Sequence, residues 1–169
     1  MAAAVLPMRD RVVGVADVRV SNDAQDRLVT YALGSCLGLA VYDPVAQVAG
    51  LLHVMLPTGA IDPDKMERNP SMFVDSGVPA LFKKCYLMGA RKERMIVKVA
   101  GGSHTGATDE DDKYQIGKRN LLALRKLLWK NGVMLHAEET GGVQVSRTMW
   151  CEVATGEVTL KANGTECKL

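Results

Sequence analysis

Apolar residues recur at alternate positions or in short unbroken runs over the first third of the chain. Residues 11–20 ("RVVGVADVRV") alternate along their length, a pattern that predicts a strand. Three further runs, 28–33, 37–42 and 47–56, are rich in apolar, β-branched or small residues and predict buried strands. The segment 43–47 ("DPVAQ") places Asp-Pro between the last two runs and predicts a hairpin turn.

Apolar positions three and four residues apart predict two main helices. The first covers 72–90, where Pro79 argues for a late start or a kink and Gly89 for the end of the helix. The second covers 115–132 and is the clearest helix of the chain. Ahead of the first helix, residues 57–72 contain three prolines and little periodicity. They predict a long surface loop, and loops of this length are often functional.

The rest of the pattern returns to strands. Residues 94–102 predict a buried strand, and 133–138, 143–153 and 157–161 predict three more. Between them, residues 103–113 ("SHTGATDEDDK") are polar and acidic and predict an exposed loop. Many strands with two main helices and no internal repeat or linker indicate an α+β fold.

Length and composition support one globular domain. The chain has 169 residues, of which 47% are hydrophobic and 24% charged, the composition of an ordinary soluble protein. We expect a single domain over residues 1–169, with a core of about 10–161 and short tails at both ends. The net charge of +2 is too small to predict nucleic acid or a membrane surface as the partner.

Cysteine spacing and the chain's beginning bear on the compartment. The cysteines at 36, 85, 151 and 167 contain no CxxC pair, so neither a zinc site nor a dense disulfide framework is predicted. The first residues, "MAAAVLPMRD", lack the basic region of a secretion signal, and no run approaches the ~20 apolar residues of a membrane span. A cytoplasmic, reduced protein without membrane insertion is expected.

One cysteine and one histidine interrupt otherwise apolar sequence. Cys36 lies in "GSCLG", where the glycines permit a tight turn and close approach of a ligand to the backbone. Such a turn can present consecutive N–H groups, so the backbone around Gly34 and Ser35 is the candidate oxyanion site. A thiol needs a base to act as a nucleophile, and His53 in a neighbouring predicted strand is the candidate. Taken alone, such a pair is more often part of a core.

A longer set of residues supports a catalytic interpretation of Cys36 and His53. Thr30, residues 33–36 ("LGSC") and residues 53–57 ("HVMLP") together resemble the chemoreceptor glutamine deamidase family, CheD. Four later blocks resemble the same family in the same order: "KVAGGS" (98–103), "IGKRN" (116–120), "EETGG" (138–142) followed by Ser146-Arg147, and "TGEVTLK" (155–161). The resemblance therefore covers nearly the whole chain, about residues 10–161.

The resemblance implies an activity and a set of roles. It implies a protein-glutamine glutaminase that converts glutamine side chains of chemoreceptor cytoplasmic domains to glutamate in chemotaxis adaptation. Cys36 matches the family's nucleophile, His53 its general base and Thr30 the residue that orients the imidazole. The chemistry requires no metal or organic cofactor. The implied fold has mixed, sandwich-like β-sheets flanked by helices, with the thiol at a shallow surface site.

Two other interpretations remain open at this stage. The chain could be a regulatory binding partner of a CheC-type phosphatase or of a receptor, with little catalysis. It could also be a cysteine peptidase or a transglutaminase-like acyl transferase, which share thioester chemistry. His104 and His136 are alternative bases, although no block of the resemblance includes either in that role. Asn120 and Arg119 are expected to cap or pair locally at the second helix, and Arg147 is expected to close the last hairpin, both of which are structural roles.

The loop after the glycine pair departs from the family. Members often carry a methionine or an aromatic residue there, whereas 103–113 has no large apolar side chain ahead of the helix. Ser103, His104 and Thr105 are the candidates for contact with a substrate or partner, so receptor preference is the property most affected. Glu139 stands where aspartate is common, which is a mild change.

Overall fold

The computed structural model describes residues 6–108 and 110–169. The first five residues of the expected N-terminal tail, and Asp109 of the expected loop, lie outside the described residues. The described helices are α1 (Pro63–Arg68), α2 (Val74–Leu87) and α3 (Ile116–Lys130). None of these three is long and apolar enough to cross a membrane. The strands are β1 (Arg9–Val12), β2 (Asp17–Ser21), β3 (Asp26–Leu33), β4 (Leu37–Asp43), β5 (Val48–Val54), β6 (Ile96–Gly101), β7 (Ala137–Thr140), β8 (Arg147–Glu152), β9 (Val158–Ala162) and β10 (Thr165–Lys168).

These strands form two five-stranded sheets, each of which mixes parallel and antiparallel neighbours. The first sheet has the order β1-β3-β8-β9-β10 and the second the order β2-β5-β4-β6-β7. The β1–β3 and β6–β7 pairs are parallel, and the other pairs are antiparallel. The predicted α+β class, with mixed sheets and two main helices, is confirmed.

The core has two layers, one between the sheets and one between the second sheet and the helices. Strand β4 contributes to both, because successive side chains of a strand point to opposite faces. Leu39 and Val41 pack in the layer with α2 and α3, whereas Ala40 and Tyr42 pack against the first sheet. Burial on both faces explains why β4 and β5 are continuously apolar and do not alternate.

Several elements lie where the hydrophobic pattern predicts them. Strands β3, β4, β5 and β6 and helices α2 and α3 agree with the predicted segments to within about three residues at each end. The predicted hairpin joins β4 to β5, and the Asp43 carboxylate accepts hydrogen bonds from Val45 N and Ala46 N in its turn. Pro79 lies inside α2, and Gly89, at φ +95°, ends the helix.

The prediction of one strand over 11–20 is wrong. Residues 9–12 form β1 in the first sheet, and residues 17–21 form β2 in the second. The chain crosses between the sheets at a turn in which Ala16 has φ +56° and the Asp17 carboxylate accepts from Gly14 N. Alternating residues fit either sheet equally well, so the pattern contains no signal for the crossing.

The prediction of a long surface loop over 57–72 is right about the surface location and wrong about the lack of regular structure. The segment folds into α1 and two short 3-10 turns, 59–61 and 70–72. Asp62 caps α1 by accepting from Lys65 N, and Pro63 occupies the first helical position, where the missing N–H costs nothing. Two of the three prolines that suggest a loop, Pro63 and Pro70, therefore begin helical turns.

Two smaller differences concern the loop 103–113 and the end of the chain. The loop is only partly exposed, because Ser103 and Asp112 are both buried. The expected C-terminal tail contains the edge strand β10, which pairs with β9 in antiparallel fashion. Both differences arise from contacts between distant parts of the chain, which local composition does not record.

Candidate active site

Thr30, Cys36 and His53 converge in the layer between the two sheets. Thr30 lies on β3 of the first sheet and His53 on β5 of the second, and both side chains are fully buried. Residues 34–36 form the turn in which the chain passes from β3 in the first sheet to β4 in the second. Cys36 is partly exposed and packs against this same layer. Three residues from two sheets are thus brought to one end of the molecule's central layer.

A hydrogen bond joins Thr30 to His53 and fixes the state of the imidazole. Thr30 Oγ1 lies 2.7 Å from the Val13 carbonyl oxygen and 2.8 Å from His53 Nδ1. A hydroxyl has one hydrogen and a carbonyl can only accept, so that hydrogen goes to Val13. Oγ1 must then accept the hydrogen on Nδ1. The neutral imidazole therefore has its free lone pair on Nε2, the atom available to act as a base.

A β-bulge lies between Thr30 and Leu33 and lets both side chains point inward. Between Thr30 and Leu33 the register of β3 against β8 shifts, and Ala32 has φ +57°. Without the extra residue, two positions three apart would point to opposite faces. With it, both Thr30 and Leu33 are fully buried, whereas Tyr31 and Ala32 are exposed. Thr30 points into the layer between the sheets by ordinary alternation from Leu28, and the bulge turns Leu33 inward as well, immediately before the turn that contains Cys36.

The sheet register places Cys36 and His53 on the same face. Gly38 on β4 is paired with His53, so their side-chain directions coincide. Cys36 precedes Gly38 by two residues, the repeat of one strand face. His53 Nε2 is buried and has no hydrogen-bond partner among the described residues, so Cys36 and His53 are not hydrogen-bonded in this structure. Catalytic contacts are often long before substrate binds.

Burial keeps both groups neutral. It raises the pKa of the Cys36 thiol above its usual 9, while the residue's own backbone N–H opposes this shift. Burial also lowers the pKa of His53 from 6.5 to about 4. Near neutral pH the pair is therefore a thiol and a neutral imidazole, and the base can accept a proton only as the thiol reacts.

Three consecutive carbonyl groups anchor the turn that contains Cys36. The carbonyls of Gly34, Ser35 and Cys36 accept, in that order, from Ser103 N at 2.9 Å, Asn120 Nδ2 at 3.1 Å and Gly102 N at 2.9 Å. The N–H groups of Ser35 and Cys36 donate to no other described residue. This arrangement leaves the N–H groups that a tetrahedral oxyanion would need.

A glycine makes the anchoring turn possible. Gly101 has φ +112°, and a Cβ built on it would lie 2.1 Å from the Cys36 carbonyl oxygen. Arg147, which is buried, binds the Gly101 carbonyl oxygen at 3.4 Å and the Gly141 carbonyl oxygen at 2.9 Å, and forms an ion pair with Glu139. The late block with its arginine therefore supports the turn on which the Cys36 backbone rests.

The candidate contact residues after the glycine pair differ in accessibility. Ser103 is buried, and its hydroxyl donates to the Val145 carbonyl oxygen at 2.9 Å, which leaves the side chain no direct access to a protein surface. His104 is partly buried with Nδ1 3.8 Å from the Asp112 carboxylate, and Thr105 is exposed. Of these three candidates, only His104 and Thr105 are accessible to a substrate.

No other cluster in the described ranges offers comparable chemistry. His136 Nδ1 accepts from Val97 N at 3.1 Å, away from the turn that contains Cys36. Cys85 and Cys151 are buried thiols whose pKa burial raises to about 12, and Cys167 is exposed on β10. Within residues 6–108 and 110–169, no three histidine, cysteine or acidic side chains lie together as metal ligands would.

The sequence singles out the three converging residues but not what positions them. The bulge at Tyr31-Ala32 is not visible in the local sequence, because a bulge without glycine has no compositional signal. The two hydrogen bonds of Asn120 are not visible either, because their acceptors lie far away along the chain. The expectation that Asn120 caps or pairs locally is wrong. The available signal that it contacts something distant is its place as a polar residue on the apolar stripe of the second predicted helix.

The chain is similar to a known protein family and to individual members of it. The family model for CheD chemotactic sensory transduction matches residues 55–162. A probable chemoreceptor glutamine deamidase CheD 1 of Syntrophus aciditrophicus is 48% identical over 93% of this chain and 96% of its own length. A probable chemoreceptor glutamine deamidase CheD of Solibacter usitatus is 46% identical over 96% of this chain and 94% of its own length.

A solved structure resembles the chain more distantly. The hypothetical protein YfiH of Bacillus licheniformis is 13% identical to it, with a TM-score of 0.47. The aligned region covers 75% of this chain and 51% of that protein. This likeness says nothing about the activity.

Proposed function

The chain belongs to the CheD family of chemoreceptor glutamine deamidases, and we propose that Cys36 is its nucleophile, His53 its general base and Thr30 the residue that orients the base. Its activity is hydrolysis of glutamine side chains of chemoreceptors to glutamate, the reaction for which its relatives are named. The observation that carries the assignment of roles is the 2.8 Å hydrogen bond between Thr30 Oγ1 and His53 Nδ1, which leaves Nε2 as the base.

The first half of the reaction forms a thioester. Cys36 Sγ attacks the carboxamide carbon of a substrate glutamine while His53 Nε2 takes the thiol proton. Negative charge develops on the carboxamide oxygen, and the N–H groups of Ser35 and Cys36 are the candidates to donate to it. The C–N bond then breaks, and the proton held by Nε2 goes to the departing ammonia.

The second half restores the enzyme. Water attacks the thioester carbon as His53 Nε2 takes one of its protons, and the C–S bond breaks. The thiolate recovers that proton from the imidazolium, and the carboxylic acid that leaves the enzyme ionises near neutral pH and gives its proton to the released ammonia, so the products are the glutamate carboxylate and an ammonium ion. The sum is one water consumed and one ammonia released for each glutamine converted.

A neutral resting pair suits this cycle. The buried His53, with a pKa of about 4, stays unprotonated at neutral pH and can act as a base at every turnover. The charge that forms on the imidazole during attack lies beside the developing oxyanion, and Thr30 stabilises it by accepting from Nδ1. The lowered pKa also makes the imidazolium a ready acid for the departing ammonia.

We also propose the setting in which this activity occurs. The substrates are cytoplasmic domains of chemoreceptors, the reaction takes place in the cytoplasm, and residues 1–169 act as a single domain. A CheC-type phosphatase is a candidate partner. The exposed Thr105 and the half-buried His104, beside the turn that holds Cys36, are candidates for contact with either protein.

One assay separates this function from its alternatives. The purified chain is incubated with a receptor cytoplasmic fragment, and ammonia, glutamate formation and fragment length are followed together, the last two by mass spectrometry. We expect one ammonia per glutamate formed and an intact backbone. Cleaved peptide bonds would indicate a peptidase, incorporation of an added amine a transglutaminase, and tight binding without conversion a regulatory partner.

A further inference from the structure

Asn120 is a polar residue on an apolar helix face. The inward stripe of α3 consists of Gly117, Asn120, Leu124 and Leu128, and Asn120 is fully buried. An asparagine in such a position loses its contacts with water, so its presence there requires strong partners inside the protein.

Those partners are two backbone carbonyl groups, one just before Cys36 and one shortly after His53. Asn120 Nδ2 lies 3.1 Å from the Ser35 carbonyl oxygen and 3.0 Å from the Met55 carbonyl oxygen. The first carbonyl belongs to the peptide bond that leads into Cys36. The second lies two residues beyond His53 on the same strand path. One amide group therefore joins the nucleophile's turn to the segment that follows the base.

The geometry leaves the amide only one orientation. Both acceptors are carbonyl oxygens, so both must face the NH₂ group, and each of its two hydrogens is used. Asn120 Oδ1 then points elsewhere, and it is buried without a hydrogen-bond partner among the described residues. An apolar side chain would fill the stripe without this unsatisfied oxygen. The cost of that oxygen is offset by the two hydrogen bonds, which satisfy the carbonyl groups of Ser35 and Met55 and hold the two segments together.

Helix α3 also approaches the turn very closely. A Cβ built on Gly117 would lie 2.6 Å from the Gly102 carbonyl oxygen and from the Ser103 carbonyl oxygen. Gly102 and Ser103 are the residues whose N–H groups bind the carbonyls of Cys36 and Gly34. The first turns of α3 are thus seated against the frame of the nucleophile's turn, which gives the Asn120 amide a rigid base.

We infer that Asn120 is a positioning residue for the deamidation, which sets the separation and orientation of Cys36 Sγ and His53 Nε2 by holding Ser35 and Met55 together. This role rests on the proposed function. Without the two bonds, the turn and the strand end are free to separate, and the thiol loses its alignment with the base. The effect falls on the chemical step, because Asn120 has no surface to offer a substrate.

The test compares Asn120→Ala and Asn120→Ser with wild type and with Asn131→Ala. Asn131 is a matched control, since it lies at the end of the same helix and donates from Nδ2 to the Leu127 carbonyl oxygen, far along α3 from the turn. Serine keeps one donor and so is expected to retain part of the function. Two quantities are measured on folded protein: kcat and KM for a receptor fragment, and iodoacetamide alkylation of Cys36 relative to Cys167 in the same molecule.

We expect Asn120→Ala to lower kcat about 10-fold or more with little change in KM, and to lower the Cys36-to-Cys167 alkylation ratio. Asn120→Ser should fall between it and wild type, and Asn131→Ala should match wild type. Folded Asn120 variants that keep kcat and the alkylation ratio, or that raise only KM, would overturn the inference. So would failure of both variants to fold, which would assign Asn120 to the core alone. If the wild type itself converts no glutamine, the proposed function fails, and the alkylation ratio still decides the role of Asn120.

Discussion

Thr30 Oγ1 is 2.8 Å from His53 Nδ1 and 2.7 Å from the Val13 carbonyl oxygen, so one hydroxyl accepts from the imidazole and donates to the backbone. The bond crosses from the first sheet to the second. It determines which imidazole nitrogen carries the lone pair, namely Nε2, which is buried and has no hydrogen-bond partner among the described residues. The packing of the two sheets against each other is therefore part of the proposed catalytic geometry.

Removing the Thr30 hydroxyl should impair catalysis while retaining the fold. Thr30→Val keeps the shape but leaves the Nδ1 hydrogen and the Val13 carbonyl unpaired, and the imidazole can rotate or change tautomer. We expect kcat for receptor deamidation to fall about 100-fold. Thr30→Ser, which keeps the hydroxyl, should fall far less. Equal losses in the two variants would show that the methyl group, and not the hydroxyl, is what matters.

His53 should make stability depend on mildly acidic pH. Its pKa is about 4 in the folded chain and 6.5 when unfolded, so between these values the unfolded state binds a proton that the folded state does not. Its contribution is intact above pH 6.5 and is lost as the pH falls towards 4. Between pH 7.5 and 5 we expect a loss of about 2 kcal/mol in the free energy of unfolding.

The measurement is urea unfolding of wild type and His53→Gln at both pH values. The difference between the two proteins isolates this residue from other titrating groups. If both lose the same stability between pH 7.5 and 5, His53 is not held neutral by burial.

Asp43 should stabilise the β4–β5 hairpin without affecting the reaction. Burial raises the pKa of its carboxylate, but hydrogen bonds from Arg94 and from backbone N–H groups outweigh burial and hold the pKa at about 2, below the usual 3.8. This stabilisation is present above pH 3.8 and is lost as the pH falls through 2. Asp43→Asn should lower the free energy of unfolding at pH 7 by about 2 kcal/mol. A fall in kcat of the folded variant would contradict a purely structural role.

Gly101 should be intolerant of any side chain. In Gly101→Ala, the new Cβ meets the Cys36 carbonyl oxygen, a backbone atom that cannot move without shifting the nucleophile. Gly164→Ala is the matched control, since Gly164 also has positive φ, +76°, but a Cβ added to it would meet no atom within 4 Å. We expect the control to lose about 1 kcal/mol of stability and no activity. Gly101→Ala should lose most of its kcat, and equal behaviour of the two variants would refute the close approach as the cause.

Much of the fold follows from hydrophobic periodicity. Strands such as β4 and β6 and helix α3 are long or strongly patterned, and the structure has them where the pattern predicts them. The prediction of one strand over 11–20 is wrong because alternation does not indicate which of two sheets a strand joins. The prediction of a loop over 57–72 misses the helical turns that Pro63 and Pro70 begin. Local composition does not distinguish a proline that begins a helical turn from a proline in a loop.

The sequence likewise predicts only part of the site. The resemblance supplies Thr30, Cys36 and His53, since those residues lie in recognisable motifs. The devices that position them depend on contacts between distant segments: Asn120 with Ser35, Gly101 with Cys36, and Arg147 with Gly101. Such contacts arise only when the two sheets and α3 come together, so one sequence read locally does not reveal them.

The most direct test of Cys36 as the nucleophile is the rate of glutamine-to-glutamate conversion in a receptor cytoplasmic fragment by wild type, Cys36→Ala and Cys167→Ala. Cys167 is the exposed thiol on β10, so its variant controls for loss of a reactive cysteine elsewhere. We expect Cys167→Ala to convert the fragment at the wild-type rate and Cys36→Ala to give no conversion above the uncatalysed rate. Persistent conversion by folded Cys36→Ala would contradict the mechanism.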